Sequence, residues 1–129
     1  MNQFHNPGTI AAPISAYSHA VEVSPNARWL TLSGQIGMGV DGALGKDVGE
    51  QSELIWHNIQ AILVSAGMEI TDIVKMTAYL LDPADVSAYA PVKNKCLGEH
   101  RPASTLIYVS ALATPDVSVE VEVVAARAI

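Results

Sequence analysis

The sequence predicts an α+β domain in which two helices cover one face of a β-sheet. Three observations carry that expectation. Ile55, Ile59, Ile62, Leu63 and Ala66 recur at helical spacing, the mark of a long amphipathic helix. Val117, Val119, Val121 and Val123 alternate with Ser118, Glu120 and Glu122, the period-two pattern of a half-buried strand. Strand-like runs flank both helical segments in the order β-β-α-β-α-β-β, which packs as two layers around one core.

The first 18 residues hold Pro7, Gly8 and Pro13 and read as an irregular lead-in. In "HAVEVSPNARWLTLSGQI", Val21 and Val23 form a short strand, Pro25-Asn26 turn the chain, and Trp29 to Ile36 return as a second strand, giving a hairpin. "GMGVDGALG" lacks the Lys-Ser/Thr of a phosphate-binding loop and reads as turns. The long helix spans Val48 to Ala66, with Asp47 and Glu50 to cap its start and Gly67 its end. A buried strand, "DIVKMTAYLL", follows and stops at Asp82-Pro83. Proline lacks an N–H and clashes with the preceding turn, so the second helix is expected from Pro91 to Leu97, after a turn over 83–89. Strands over Ser104–Ala111 and Val117–Ala126 close the chain.

Composition narrows the function. The chain of 129 residues is read as a single domain over 1–129, large enough for one core. Half of its residues are apolar and 16% are charged, which excludes disorder and suggests surface buried against other subunits. The net charge is −6 with no basic run, so a nucleic-acid partner is not expected. Cys96 is the only cysteine and fits a reducing compartment. The start of the chain has no secretory pattern, and no apolar run is long enough to cross a membrane, so a cytoplasmic protein without a membrane partner is expected.

No metal constellation stands out: His5, His19, His57 and His100 are far apart, with no His-x-x-x-His pair and no cysteine cluster. Cys96 reads as a small core residue, and no Gly-x-Ser-x-Gly elbow is present. Four local features remain. They are Tyr17 before the first strand, Ser33-Gly34-Gln35 at the end of the second, "RPASTLIYV" from Arg101, and Glu120 opposite the valines. Singly, each has a plain structural reading as a packing aromatic, a bulge, a loop charge or a solvated carboxylate.

Taken in order with "ISAYSHAV", "LTLSGQIG", "NIQAILVSAG", "DIVKMTAYLLD", "EHRPAST" and "VEVEVVAA", these features resemble the RidA (YjgF, L-PSP) family of reactive-intermediate deaminases over nearly the whole chain. The resemblance implies a chorismate mutase-like fold with a mostly antiparallel mixed sheet, assembled as a homotrimer around a central barrel. It implies small-molecule binding in clefts between subunits, and hydrolysis of enamines and imines such as 2-aminoacrylate without a cofactor. It assigns Glu120 to water, and Tyr17 with Ser33 and Gly34 to the lining of the cleft. Family deaminases typically read Pro-Ala-Arg-Ser where this chain has Pro102-Ala103-Ser104-Thr105, so Ser104 stands at the position of the carboxylate-binding arginine.

That departure has a physical cost. An arginine binds a carboxylate through a charged fork of donors, whereas serine offers one neutral hydroxyl. Arg101 lies three residues upstream, about 10 Å along an extended chain, and reaches the same place only if the loop folds back. The leading reading is a deaminase-type hydrolase in which Ser104 and Thr105 hydrogen-bond an altered imine or carbonyl substrate. The alternative is a non-catalytic trimer that binds metabolites or proteins. A ribonuclease reading sits poorly with the acidic balance.

Overall fold

The computed structural model describes residues 2–129. Two short strands, β1 (Gln3–His5) and β2 (Ala20–Glu22), form an antiparallel ribbon. The main sheet contains β3 (Ala27–Thr31), β4 (Gln35–Ile36), β5 (Ile73–Leu80), β6 (Ala103–Tyr108) and β7 (Val119–Ala128). Its order is β3-β7-β5-β6, with β4 also on β7, and only the β5–β6 pair is parallel. Helices α1 (Val48–Ser65) and α2 (Val86–Leu97) complete the α+β domain.

The expected hairpin across Pro25-Asn26 does not form. β2 pairs with β1, inside the segment expected to be irregular, while β3 pairs with β7. Turn residues report only local bending. The choice of partner follows burial, and the valine ladder of β7 is buried by placing it at the centre of the sheet. The expected strand over 29–36 is also interrupted. The Leu32 N–H still donates to the Val123 carbonyl (3.0 Å), then the chain bends at Ser33-Gly34 before β4 resumes against β7.

Asp47 caps α1 as expected, its Oδ1 accepting from the Glu50 N–H (2.9 Å). The Glu50 carboxylate reaches back to the Lys46 N–H (2.7 Å). At the other end, N–H groups of Gly67 and Met68 donate to the carbonyls of Val64 and Leu63, the paired bonds of a Schellman motif. The second helix departs from expectation: α2 begins at Val86 and contains Pro91. Tyr89, which is fully buried, and Leu97 anchor it to the core. Pro91 is exposed, and so is Ser87, whose carbonyl loses its helical donor to the proline ring, so the defect lies on the wet side of the helix.

The core joins Ile55, Trp56, Ile59 and Leu63 of α1 to Met76, Ala78 and Leu80 of β5 and the odd-numbered residues 119–125 of β7. The alternation read from the sequence therefore holds: the valines point inward and Glu120 and Glu122 outward. The face away from the helices carries Lys75, Thr77, Tyr79, Thr105, Ile107, Glu120 and Glu122. Among the described residues no helix is long and apolar enough to cross a membrane.

Candidate functional site

Glu120 sits on β7 in register with Ile36 of β4 on one side and Tyr79 of β5 on the other. A side chain on Gly34 would overlap the Glu120 carboxylate, so the bend at Ser33-Gly34 and the acid occupy one place. Ser33 is exposed there, and its carbonyl accepts from Gln35 Nε2 (3.0 Å). Three of the residues singled out in the sequence thus come together. The Glu120 side chain accepts no hydrogen bond from the described residues and is half-buried.

Tyr17 is carried to a different corner. The Ser18 N–H donates to the Pro102 carbonyl (3.1 Å) and forms a bridge with Ala103, which puts Tyr17 near the start of β6. Its hydroxyl accepts from the Ile14 N–H (3.3 Å), and its ring meets His19 edge-on with centroids 6.0 Å apart. Ser104 is in register with buried Met76 and lies on the helix-covered side, whereas Thr105 is in register with Thr77 on the open face. Through Tyr79, Glu120 is level with Ile107, two strands from β6, or about 10 Å at ordinary strand spacing. The chain therefore keeps two separate clusters, one around Glu120 and one around Tyr17 and Ser104.

The guanidinium of Arg101 turns to the end of α2, donating to the carbonyls of Gly98 (2.6 Å) and His100 (3.1 Å). A residue that the sequence reading missed fixes the acid's strand. Gln51, buried on α1, donates to the carbonyls of Gly45 and Asp116 (both 3.1 Å) and accepts from the Ser118 N–H (2.9 Å). The 37–45 loop and the approach to β7 are thereby tied to the helix, two residues before Glu120. Gly37 allows this packing, because a Cβ there would collide with the Gln51 backbone. Only the abundance of glycine in that loop signalled close approach.

Beside Gly34, Gln35 and Ile36 a groove of about 960 Å³ runs between the 37–45 loop and α1, lined also by Met38, Leu54 and Asn58. On the open face the Tyr79 hydroxyl donates to Glu122 Oε1 (2.5 Å). That bond raises the Tyr79 phenol above its ordinary value, with desolvation and the charges of Glu122 and Glu120 adding to the effect. Burial likewise raises the Cys96 thiol, with the Glu53 charge contributing, which disfavours the nucleophilic thiolate. Among the described residues no group of three His, Cys, Asp or Glu side chains is arranged to hold a metal ion.

Residues 9–127 match the family model described as Endoribonuclease L-PSP. A RutC family protein of Pyrococcus abyssi is 36% identical over 115 residues, covering 88% of this chain and 87% of that protein. A 2-iminobutanoate/2-iminopropanoate deaminase of Salmonella typhimurium is 31% identical over 120 residues, covering 90% and 91%. The crystal structure of the Rid family protein YyfB from Yersinia pestis superposes with a TM-score of 0.84 at 30% identity, covering 96% and 97%. With the sheet order, the Ser33-Gly34 bend and Glu120 in place, these matches show that the chain belongs to the L-PSP family, the RidA (YjgF) proteins.

Proposed function

We propose that this protein hydrolyses small enamines and imines to a carbonyl compound and ammonia, in clefts formed between the subunits of a homotrimer. The observation that carries this reading is the Glu120 carboxylate, set against the Gly34 bend and accepting no hydrogen bond from the described residues; Gly34, though not Glu120, also borders the groove between the 37–45 loop and α1. A carboxylate held so is placed to take a proton from water. The Salmonella relative's name supplies the matching reaction class.

The chemistry follows from the group. An enamine tautomerises to its imine, and the protonated imine carbon is the electrophile. Glu120 accepts a proton as the water oxygen bonds to that carbon and the C=N π pair moves to nitrogen. The carbinolamine then collapses: Glu120 returns its proton to the amine nitrogen, the hydroxyl loses its proton to solvent as the C=O bond forms, the C–N bond breaks and ammonia leaves. Tyr17, Ser104 and Thr105 line the complementary half of the cleft, brought to Glu120 by a neighbouring subunit. Because Ser104 lacks an arginine's charged fork, 2-aminoacrylate is expected to be a weaker substrate than for arginine-bearing deaminases. The ribonuclease of the family model's description finds no basic footprint in a chain of net charge −6.

The test is ammonia release from freshly generated 2-aminoacrylate, 2-iminobutanoate and bulkier imines. Release above the uncatalysed rate for at least one supports a hydrolase. No acceleration across the panel, with the same compounds raising the melting temperature, points instead to a trimer that binds metabolites without turning them over.

A further inference from the structure

The resemblance sets Ser104 where family deaminases carry a carboxylate-binding arginine, and the chain has only three arginines that could supply an anion contact instead. All three are engaged elsewhere. Arg28 donates to the Ala66 carbonyl at the end of α1 (3.1 Å), Arg101 to the carbonyls after α2, and Arg127 to Asp72 (3.0 Å). Of the four lysines, Lys46 lies before α1, and Lys93 and Lys95 lie on α2. Only Lys75 stands on the sheet. It is on β5, in register with Ala103 at the start of β6, and its side chain is on the open face with Thr105 and Glu120, the face opposite Ser104.

Lys75 is exposed, and its ammonium donates to Thr105 Oγ1 (2.8 Å). It makes no ion pair with a carboxylate among the described residues. The acid available to it on the next strand, Glu122, takes the Tyr79 hydroxyl instead. The ammonium thus keeps donors for another partner, and the Thr105 hydroxyl, having accepted from Lys75, has its own proton to give.

We propose that Lys75 and Thr105 form the anion-binding subsite of this protein, taking the substrate carboxylate that Ser104 cannot hold. An ammonium is a point charge without the planar fork of arginine, so the subsite tolerates carboxylates in more orientations and discriminates among them less. Thr105 orients the lysine head and adds a neutral donor. The proposal deepens the hydrolase reading and rests on it for the identity of the ligand.

The probe is 2-oxobutanoate, a carboxylate with no C=N bond to hydrolyse, titrated by calorimetry. Wild-type protein is expected to bind it, Lys75→Gln to bind at least about tenfold more weakly, and Lys75→Arg to stay within about threefold. Equal melting temperatures establish that the exposed substitution has not altered the fold. Unchanged binding by Lys75→Gln, or no binding by wild type, overturns the proposal. In turnover, Lys75→Gln raises KM for carboxylate imines and leaves KM for their methyl esters unchanged. Lysine-dependent binding without ammonia release would remove the hydrolase reading and keep the subsite. Ammonia release with a KM indifferent to Lys75 would do the reverse.

Discussion

A methyl group at position 34 has no room while the Glu120 carboxylate keeps its place. The obstacle is the tip of a flexible side chain rather than backbone, so Gly34→Ala is expected to fold with a melting temperature within a few degrees of wild type. The displaced carboxylate is no longer set against the bend, and kcat for imine hydrolysis is expected to fall by about tenfold or more, since general-base catalysis depends on hydrogen-bond reach. A variant with normal kcat would separate the bend from the acid. At this scale the sequence was informative about which residues matter and silent about their company. Ser33, Gly34 and Glu120 were each visible as a motif, and the close approach of the Glu120 carboxylate to Gly34 was not. Lys75 carried no signal either, because a lone lysine in an apolar strand becomes notable only once every arginine is seen to be occupied.

Among the elements, α2 shows where local rules were overruled. Pro91 argued for a helix starting at its own position, yet the buried ring of Tyr89 holds the preceding turn in place. The Tyr89 hydroxyl and the Trp56 indole N–H approach one another in the α1–α2 contact but miss hydrogen-bond geometry. Desolvation is the main reason the Tyr89 phenol is raised well above its ordinary value. The folded chain therefore keeps this proton where the unfolded chain, with a phenol near 10, has begun to lose it. Unfolding then releases a proton, and stability that is complete below about pH 10 declines as pH rises past it. Chemical denaturation between pH 8 and 11 is expected to show that decline, and Tyr89→Phe to reduce its slope while costing less than about 1 kcal/mol at pH 8. An identical slope in the variant would contradict the assignment. The strands follow a similar lesson. β5 and β7 were legible because their apolar patterns are long and regular, whereas the pairing of β2 with β1 and of β3 with β7 depends on contacts between segments distant in sequence.

For the whole molecule, the open sheet face and the separation of the Glu120 and Ser104 clusters lead to the same expectation, a homotrimer. A surface that sets Ile107 beside Lys75, Thr105 and two glutamates is half apolar and half polar, suited to a hydrated interface between copies. Light scattering at micromolar concentration is expected to give three times the 13.6 kDa chain mass, and a monomer would break the link between Glu120 and Ser104. The fold class could be read from the sequence because it depends on burial patterns; the distance between Glu120 and Ser104 could not, because it depends on which strands pair. The central claim, that Glu120 activates water for imine hydrolysis, is tested most directly by the rate of ammonia release from 2-iminobutanoate with wild type and Glu120→Gln. Wild type is expected to accelerate release, and Glu120→Gln to lose at least about 100-fold while remaining folded and still binding 2-oxobutanoate. Equal rates in the two proteins would contradict it.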